Sequence, residues 1–149
     1  MSLNIGDKAP IFEGLNQNGD SVKLSNFLGS KVILYFYPRD NTPGCTAQAC
    51  NLKDNFNDLS KKNFKIIGIS SDNIKSHKKF EEKFTLPFDL IADEDKSIHN
   101  KYGTWVEKSM YGRNYMGTAR WTFVIDEKGT IINIIDKVKT KDHSNQILT

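Results

Sequence analysis

A transition from strand to helix decides the fold of this chain, in which residues 32–50 read VILYFYPRDNTPGCTAQAC. The run from Val32 to Tyr37 is continuously apolar and rich in β-branched and aromatic residues, which is typical of a central strand covered on both faces. Pro38 ends this run, and Pro43 suits the first position of a helix. The stretch therefore predicts a buried strand, a short loop and a helix that begins near Pro43.

The segments on either side extend this pattern. Asn18-Gly19 is a turn signal, and it predicts an N-terminal hairpin from about Phe12 to Leu24. Within the predicted helix, apolar residues recur at steps of four and three, so that they share one face: Cys45, Ala49, Leu52, Phe56 and Leu59. The polar residues fall mostly on the opposite face: Gln48, Asn51, Asn55 and Asp58.

The second half of the chain predicts elements that complete an α/β fold. They are strands at 64–70, 121–126 and 130–135 and a helix at 74–84. Phe80 and Phe84 are four residues apart and are expected to face inward from that helix. We predict a single domain over residues 1–149, a thioredoxin-like three-layer sandwich with a central mixed β-sheet and the N-terminal β-hairpin.

Composition and charge exclude several classes of protein. The net charge is only +3 and basic residues form no long run, which argues against a nucleic-acid surface. The longest apolar run is six residues, whereas a membrane helix needs roughly 18. The first residues, MSLNIGDK, lack the features of a secretory signal, so a cytoplasmic location is expected. In that reducing compartment two cysteines are more often chemical than structural.

Cys45 is the first candidate for chemistry. It follows the carboxyl end of a predicted strand, where α/β proteins place their sites. It also falls in the first turn of a predicted helix, where free N–H groups and the helix dipole favour the nucleophilic thiolate. Arg39 or another nearby guanidinium would act in the same direction. The position alone leaves open the alternative that Cys45 is a small buried core residue.

The second cysteine, Cys50, favours a redox role. Residues five apart on a helix are about 7.5 Å apart along the axis and about 140° around it, whereas a disulfide needs Cα atoms within about 7 Å. The spacing therefore suits a switch that is reduced when the helix is wound and oxidised when it is unwound. A structural bridge would contribute roughly 2 kcal/mol at most and would disrupt the helix. A metal site would need more ligands, and His77, His99 and His143 lack ligand spacing and are expected at the surface.

The segment around both cysteines resembles a known family. Pro38-x-x-x-Thr42-x-x-Cys45 is the signature of the peroxiredoxins, and residues 42–50, TPGCTAQAC, look like the bacterioferritin-comigratory-protein or peroxiredoxin Q group. The likeness extends from Gly6 to Ile135 and includes the segments 70–72, 90–93, 111–117 and 120–126.

The resemblance implies a thiol-dependent peroxidase that reduces hydrogen peroxide and organic hydroperoxides. Cys45 would be the peroxidatic cysteine, which becomes a sulfenic acid. Cys50 would be the resolving cysteine, which forms an intramolecular disulfide with it. A thioredoxin-like protein would then reduce this disulfide. No cofactor or metal is implied, and resolution within one chain favours a monomer.

The resemblance also implies roles for residues around the nucleophile. The Thr42 hydroxyl and the Arg120 guanidinium would hold the peroxide, while the backbone N–H groups of Gly44 and of the cysteine itself would add donors. Pro38 would shield the thiol from water, and Gln48 would orient Arg120.

Arginine usage supports a site that needs a forked donor. The chain has eighteen Lys but only Arg39, Arg113 and Arg120, and two of these three fall in the predicted site segments. For Arg39 a plain surface charge is an equal alternative. Trp105 and Tyr111 precede Arg120 and are expected to pack in its loop, or else to line the substrate approach.

Two other functions use paired cysteines. A thiol–disulfide oxidoreductase on the same fold would carry Cys-x-x-Cys, whereas four residues separate the cysteines here. A redox sensor or holdase would use the disulfide to change a binding surface, but no partner-binding segment is evident. Continuous consumption of peroxide with a dithiol donor would distinguish the peroxidase from the sensor.

Overall fold

Strands and helices alternate along the chain in this computed structural model, which describes residues 3–148. The strands are β1 (Glu13–Leu15), β2 (Ser21–Lys23), β3 (Lys31–Phe36), β4 (Phe64–Ser70), β5 (Asp89–Ala92), β6 (Trp105–Met110), β7 (Arg113–Thr118), β8 (Thr122–Ile125) and β9 (Ile131–Ile135). The α-helices are α1 (Pro43–Asp54), α2 (Phe56–Lys61), α3 (Ile74–Phe84), α4 (Ser97–Tyr102) and α5 (His143–Leu148), and a 3₁₀ helix spans Leu24–Phe27. Both ends of the predicted domain, 1 and 149, lie outside the described residues. Between residues 3 and 148, none of the helices has the length and apolar character that crossing a membrane requires.

Seven of the strands form one mixed sheet, in the order β2-β1-β5-β4-β3-β8-β9. The strands β3, β4 and β5 run parallel, whereas β8 and β9 at one end and β1 and β2 at the other are antiparallel. Because β3 lies between β4 and β8, the apolar run at 32–37 is a central strand, as predicted. The mixed sheet and the N-terminal hairpin β1–β2 are confirmed.

The alternation of side chains along β3 divides the core into two clusters. Val32, Leu34 and Phe36 pack into one cluster, and Ile33 and Tyr35 pack into the other. The second cluster contains side chains of α1, α2, α3 and α5, including the candidate cysteine of α1. The first contains side chains of α4 and the 3₁₀ helix. Helices thus cover both faces of the sheet and form the predicted three layers.

The helix after β3 ends earlier than the apolar period predicts. Asn55 interrupts it with φ −106° and ψ 14°, so that α1 and α2 are separate helices. The Asn55 side chain donates to the carbonyl oxygen of Asn51 at 2.9 Å, and such local bonds compete with helical ones. Four residues of the predicted inward face are nevertheless fully buried: Cys45, Ala49, Leu52 and Leu59.

The predicted surface positions of the three histidines are wrong. His77, His99 and His143 are all 0% exposed, because each imidazole has polar partners inside the protein. His77 Nδ1 lies 2.7 Å from Asp40 Oδ2, and His143 Nε2 lies 2.8 Å from Thr122 Oγ1. Asp40 and Thr122 come from other parts of the fold, so the local sequence around His77 and His143 gives no sign of these two partners.

A separate hairpin of β6 and β7 precedes Arg120, and the sequence pattern did not predict it. Tyr111 and Gly112 form its turn with φ values of 53° and 75°, the two positive angles that a type I′ turn requires. Tyr111 is 97% exposed at the tip, so its predicted packing role is wrong. Trp105, at the other end, packs edge-on against the His99 ring.

A buried polar chain anchors this hairpin at the end nearest Arg120. His99 Nε2 lies 2.9 Å from Thr118 Oγ1, and His99 Nδ1 lies 2.6 Å from Asp93 Oδ2. Burial raises the pKa of Asp93, but hydrogen bonds from His99 and from the Ile98 backbone outweigh it and leave the pKa below its ordinary value. Asp93 therefore stays ionised at neutral pH and fixes the end of β7, two residues before Arg120.

Candidate active site

Cys45 is the third residue of α1 and is only 1% exposed. Thr42 is the N-cap with extended backbone angles (φ −91°, ψ 156°), and Pro43 occupies the first helical position, where no N–H is needed. The first-turn N–H groups, including those of Gly44 and Cys45, have no carbonyl partner within the helix. The helix thus provides backbone donors and the positive end of its dipole around the thiol.

Arg120 contacts the thiol directly, and Gln48 holds the arginine. One guanidinium nitrogen, Nη2, lies 3.3 Å from Cys45 Sγ, and the other, Nη1, donates to Gln48 Oε1 at 2.8 Å. A guanidinium only donates, so this contact fixes the orientation of the Gln48 amide. Gln48 is 0% exposed, which contradicts its predicted place on the outer face of the helix.

The absence of a side chain at Gly44 lets the guanidinium approach the helix. A Cβ atom at this position would lie 3.3 Å from Arg120 Nη2, tighter than an ordinary contact. A larger residue would require a shift of a few tenths of an ångström by Arg120 Nη2, the nitrogen that contacts Cys45. The backbone angles of Gly44 do not themselves require a glycine, because its φ is not positive.

Thr42 and Pro38 belong to the loop between β3 and α1 that leads to Cys45. The Thr42 hydroxyl donates to the Arg39 carbonyl oxygen at 2.9 Å, which leaves the hydroxyl oxygen as an acceptor. Pro38 is half-buried and Arg39 is exposed, and both line an open cavity of about 410 Å³ beside the site. Of the arginines predicted near Cys45, Arg120 is the one that reaches it.

Cys50 lies farther along the same continuous helix and is half-buried. Both cysteines are free thiols, as they must be while α1 is wound between them. Burial raises the pKa of the Cys50 thiol, Lys53 opposes this, and Asp54 adds to it. Cys50 is therefore protonated at neutral pH in the wound helix and is a poor nucleophile there.

Asn51 forms a contact to the C-terminal segment that the sequence analysis missed. Its side-chain nitrogen donates to the Lys141 carbonyl oxygen at 3.0 Å, and its side-chain oxygen accepts from the Ser144 N–H at 2.8 Å. These bonds hold α5 against α1 next to Cys50. An asparagine in mid-helix, where it is a poor helix former, was the only signal in the sequence. Unwinding α1 through Cys50 would break both bonds.

Comparison with known sequences gives full-length relatives. The profile of the AhpC/TSA family matches residues 5–134. A putative peroxiredoxin bcp of Coxiella burnetii is 43% identical over 148 residues, which cover 99% of this chain and 98% of the relative. The peroxiredoxin Bcp of Bacillus subtilis is 42% identical over 148 residues, which cover 99% of this chain and 94% of the relative.

Comparison with solved structures also gives peroxiredoxins that match nearly the whole chain. A mutant of peroxiredoxin Q from Xylella fastidiosa superposes with a TM-score of 0.93 at 28% identity, covering 99% of this chain and 94% of that one. The bacterioferritin comigratory protein of Xanthomonas campestris, whose structures address alkyl peroxide reduction, superposes with a TM-score of 0.88 at 29% identity, with 95% of each chain covered. These likenesses confirm the predicted thioredoxin-like arrangement.

Proposed function

Since this chain belongs to the AhpC/TSA family and is a peroxiredoxin, and therefore a thiol peroxidase, we propose that Cys45 is its nucleophile. The observation that carries the proposal is the 3.3 Å contact between Arg120 Nη2 and Cys45 Sγ at the first turn of α1. A peroxidase of this kind acts on a hydroperoxide and consumes a reductant. The guanidinium and the helix N-terminus place positive charge beside the sulfur, and the thiolate is the form of a cysteine that attacks.

The groups around Cys45 suit a bound hydroperoxide. The Thr42 oxygen, whose own hydrogen is donated to Arg39, would accept a hydrogen bond from the peroxide O–H. Arg120 and the first-turn N–H groups would donate to the peroxide oxygens and stabilise the charge that develops as the O–O bond breaks. The sulfur gains one oxygen and becomes a sulfenic acid, and water or an alcohol leaves.

Cys50 is the proposed resolving residue, and its environment explains why it does not react while α1 is wound. In the wound helix it is protonated and points away from Cys45, since five residues turn a helix by about 140°. Unwinding α1 removes the burial that raises the pKa of Cys50 and brings the two sulfurs together. Attack on the sulfenic sulfur then forms the Cys45–Cys50 disulfide and releases water.

The reductant, the oligomeric state and the location are parts of the same proposal. A disulfide in an unwound segment is accessible to an attacking thiolate, so we infer that a thioredoxin-like dithiol protein reduces it. A monomer suffices, because both cysteines belong to one chain. A reducing compartment such as the cytoplasm would keep both thiols reduced between turnovers.

The variant Cys50→Ser tests the proposed cycle. It should react with one equivalent of peroxide at close to the wild-type rate, because Cys45, Arg120 and Gln48 are unchanged. It should then stop as a Cys45 sulfenic acid, which excess peroxide converts to the sulfinic acid. Rapid mixing followed by mass spectrometry measures both products.

The wild type is the matched control for this variant. With a thioredoxin-like dithiol it should consume peroxide continuously, whereas a redox sensor would react once and stall. If Cys50→Ser turns over with that dithiol as fast as the wild type, Cys50 is not the resolving residue.

A further inference from the structure

Lys108 is a half-buried lysine next to the proposed site, and no role has been assigned to it so far. It lies on β6 opposite Tyr115 of β7. Its side chain crosses Gly117, because a Cβ atom on that glycine would lie 3.2 Å from Lys108 Cδ and 3.5 Å from Cε. The side chain therefore extends along β7 toward the end of the strand that leads to Arg120.

The same lysine lines the open cavity of about 410 Å³ beside the site. Charged, polar and apolar side chains share the lining, which includes Pro38, Arg39, Asp72, Trp105, Lys108 and Met116. The Asp72 carboxylate has hydrogen-bond donors within the protein, because it accepts from the Asp40 backbone N–H at 2.7 Å and from the Ser70 hydroxyl at 2.8 Å. The cavity gives a hydroperoxide and solvent protons a route to Lys108.

The electrostatics tie Lys108 to the reacting groups. Burial lowers the pKa of Lys108, the Arg120 guanidinium lowers it further, and the charge of Cys45 raises it. Lys108 is thus within electrostatic range of both Arg120 and Cys45. A lysine whose pKa is lowered is a better proton donor than an exposed one.

We propose that the Lys108 ammonium is a catalytic acid that protonates the oxygen released when Cys45 attacks a hydroperoxide. This inference rests on the proposed role of Cys45. A sulfur lone pair forms the S–O bond to the terminal oxygen, and the electron pair of the O–O bond leaves with the other oxygen. That oxygen takes a proton from Lys108. The sulfur loses two electrons and the peroxide gains them, and the products are the sulfenic acid, an alcohol or water, and a neutral amine that regains its proton from solvent.

The charge on the Cys45 sulfur couples the attack on the peroxide to proton donation by Lys108. The thiolate holds the proton on Lys108, and this interaction vanishes as the S–O bond forms and the sulfur becomes neutral. Lys108 therefore becomes more acidic at the moment when the leaving oxygen needs a proton. Arg120 cannot replace it, because a guanidinium does not lose its proton in proteins.

The test compares Lys108→Met, Lys108→Arg and wild type on three oxidants. Hydrogen peroxide and tert-butyl hydroperoxide release a strongly basic oxygen, whereas peracetic acid releases a weakly basic carboxylate that needs no proton. Arg113→Met is the matched control, because it removes an exposed cation from the same hairpin. Alkylation of Cys45 by iodoacetamide, followed by mass spectrometry, reports the thiolate in each variant without any leaving oxygen.

Both Lys108 variants should be slowed by about 10²-fold on the first two oxidants, the lower end for general acid catalysis. Their rates with peracetic acid and iodoacetamide, and all rates of Arg113→Met, should stay within about threefold of wild type. Three results would overturn the proposal: an undiminished rate in Lys108→Arg, which means that charge alone suffices; equal slowing on all oxidants, which means lost positioning; or no slowing at all. If wild type consumes none of the oxidants, the proposed function fails instead.

Discussion

The variant Cys45→Ser should consume no peroxide above the uncatalysed background, because a serine hydroxyl does not ionise at neutral pH and cannot accept an oxygen as sulfur does. The expected loss is on the order of 10⁶-fold if the acceleration lies at the lower end of the usual range for enzymes. The only other thiol, Cys50, is protonated in the wound helix and lacks the contact with Arg120. Peroxide consumption with a dithiol donor measures the effect.

The fold of this variant should be intact, since serine replaces one sulfur by oxygen at a helical position. Its thermal unfolding and its far-UV circular dichroism serve as controls. Cys50→Ser is the matched variant, because it removes the other thiol of the same helix yet keeps the first reaction. Measurable turnover in Cys45→Ser would show that the nucleophile lies elsewhere.

Arg120→Lys should lower kcat/KM for hydroperoxides by roughly 10²-fold, the effect of losing one preorganised donor in a site of this kind. The arginine contacts Cys45 with one nitrogen and Gln48 with the other, at 3.3 and 2.8 Å. A lysine keeps the charge but has a single nitrogen, so it cannot hold both partners in this geometry. The buried oxygen of Gln48 would also lose its partner.

Arg113→Lys is the control, because it makes the same change of side chain at an exposed position on β7. It should keep the wild-type kcat/KM within about twofold, as surface substitutions usually do. A wild-type rate in Arg120→Lys would mean that charge alone is needed, and the forked contact would then have no catalytic role.

The elements around the cysteines could be predicted because their signals are local. The apolar run at 32–37 predicts the strand, and Pro43 predicts the start of the helix. The apolar side chains of both elements fill the core as the pattern predicts. The hairpin β6–β7 was missed because its side chains are largely exposed and show no apolar alternation. Its turn carried one usable signal, the pair Tyr111-Gly112, since a glycine favours the positive φ that this turn needs.

The members of the site differ in how far the sequence reveals them. Cys45 and Cys50 stand out through their spacing on one helix, which is a local property. Arg120 lies 75 residues from Cys45 in sequence, so the family resemblance indicated it, with the scarcity of arginine as support. Gln48 was placed on the outer face by helical period, but the Arg120 guanidinium draws it inward, because a buried amide oxygen needs a donor.

The histidines and Lys108 show what a single sequence cannot supply. His99 is buried because Asp93, six residues earlier, and Thr118, on β7, hydrogen-bond its two ring nitrogens. The position of Lys108 depends on the hairpin register and on the bare backbone of Gly117. Neither the contact between His99 and Thr118 nor the crossing of Gly117 by Lys108 is visible in the spacing of apolar residues.

Peptide mapping of the wild-type protein, after one equivalent of hydrogen peroxide and without a reductant, tests whether Cys45 and Cys50 of one chain form a disulfide. We expect mass spectrometry to find a single product, one chain with an internal Cys45–Cys50 disulfide, at every protein concentration. A disulfide between two chains, or oxidation at a residue other than these cysteines, would contradict it.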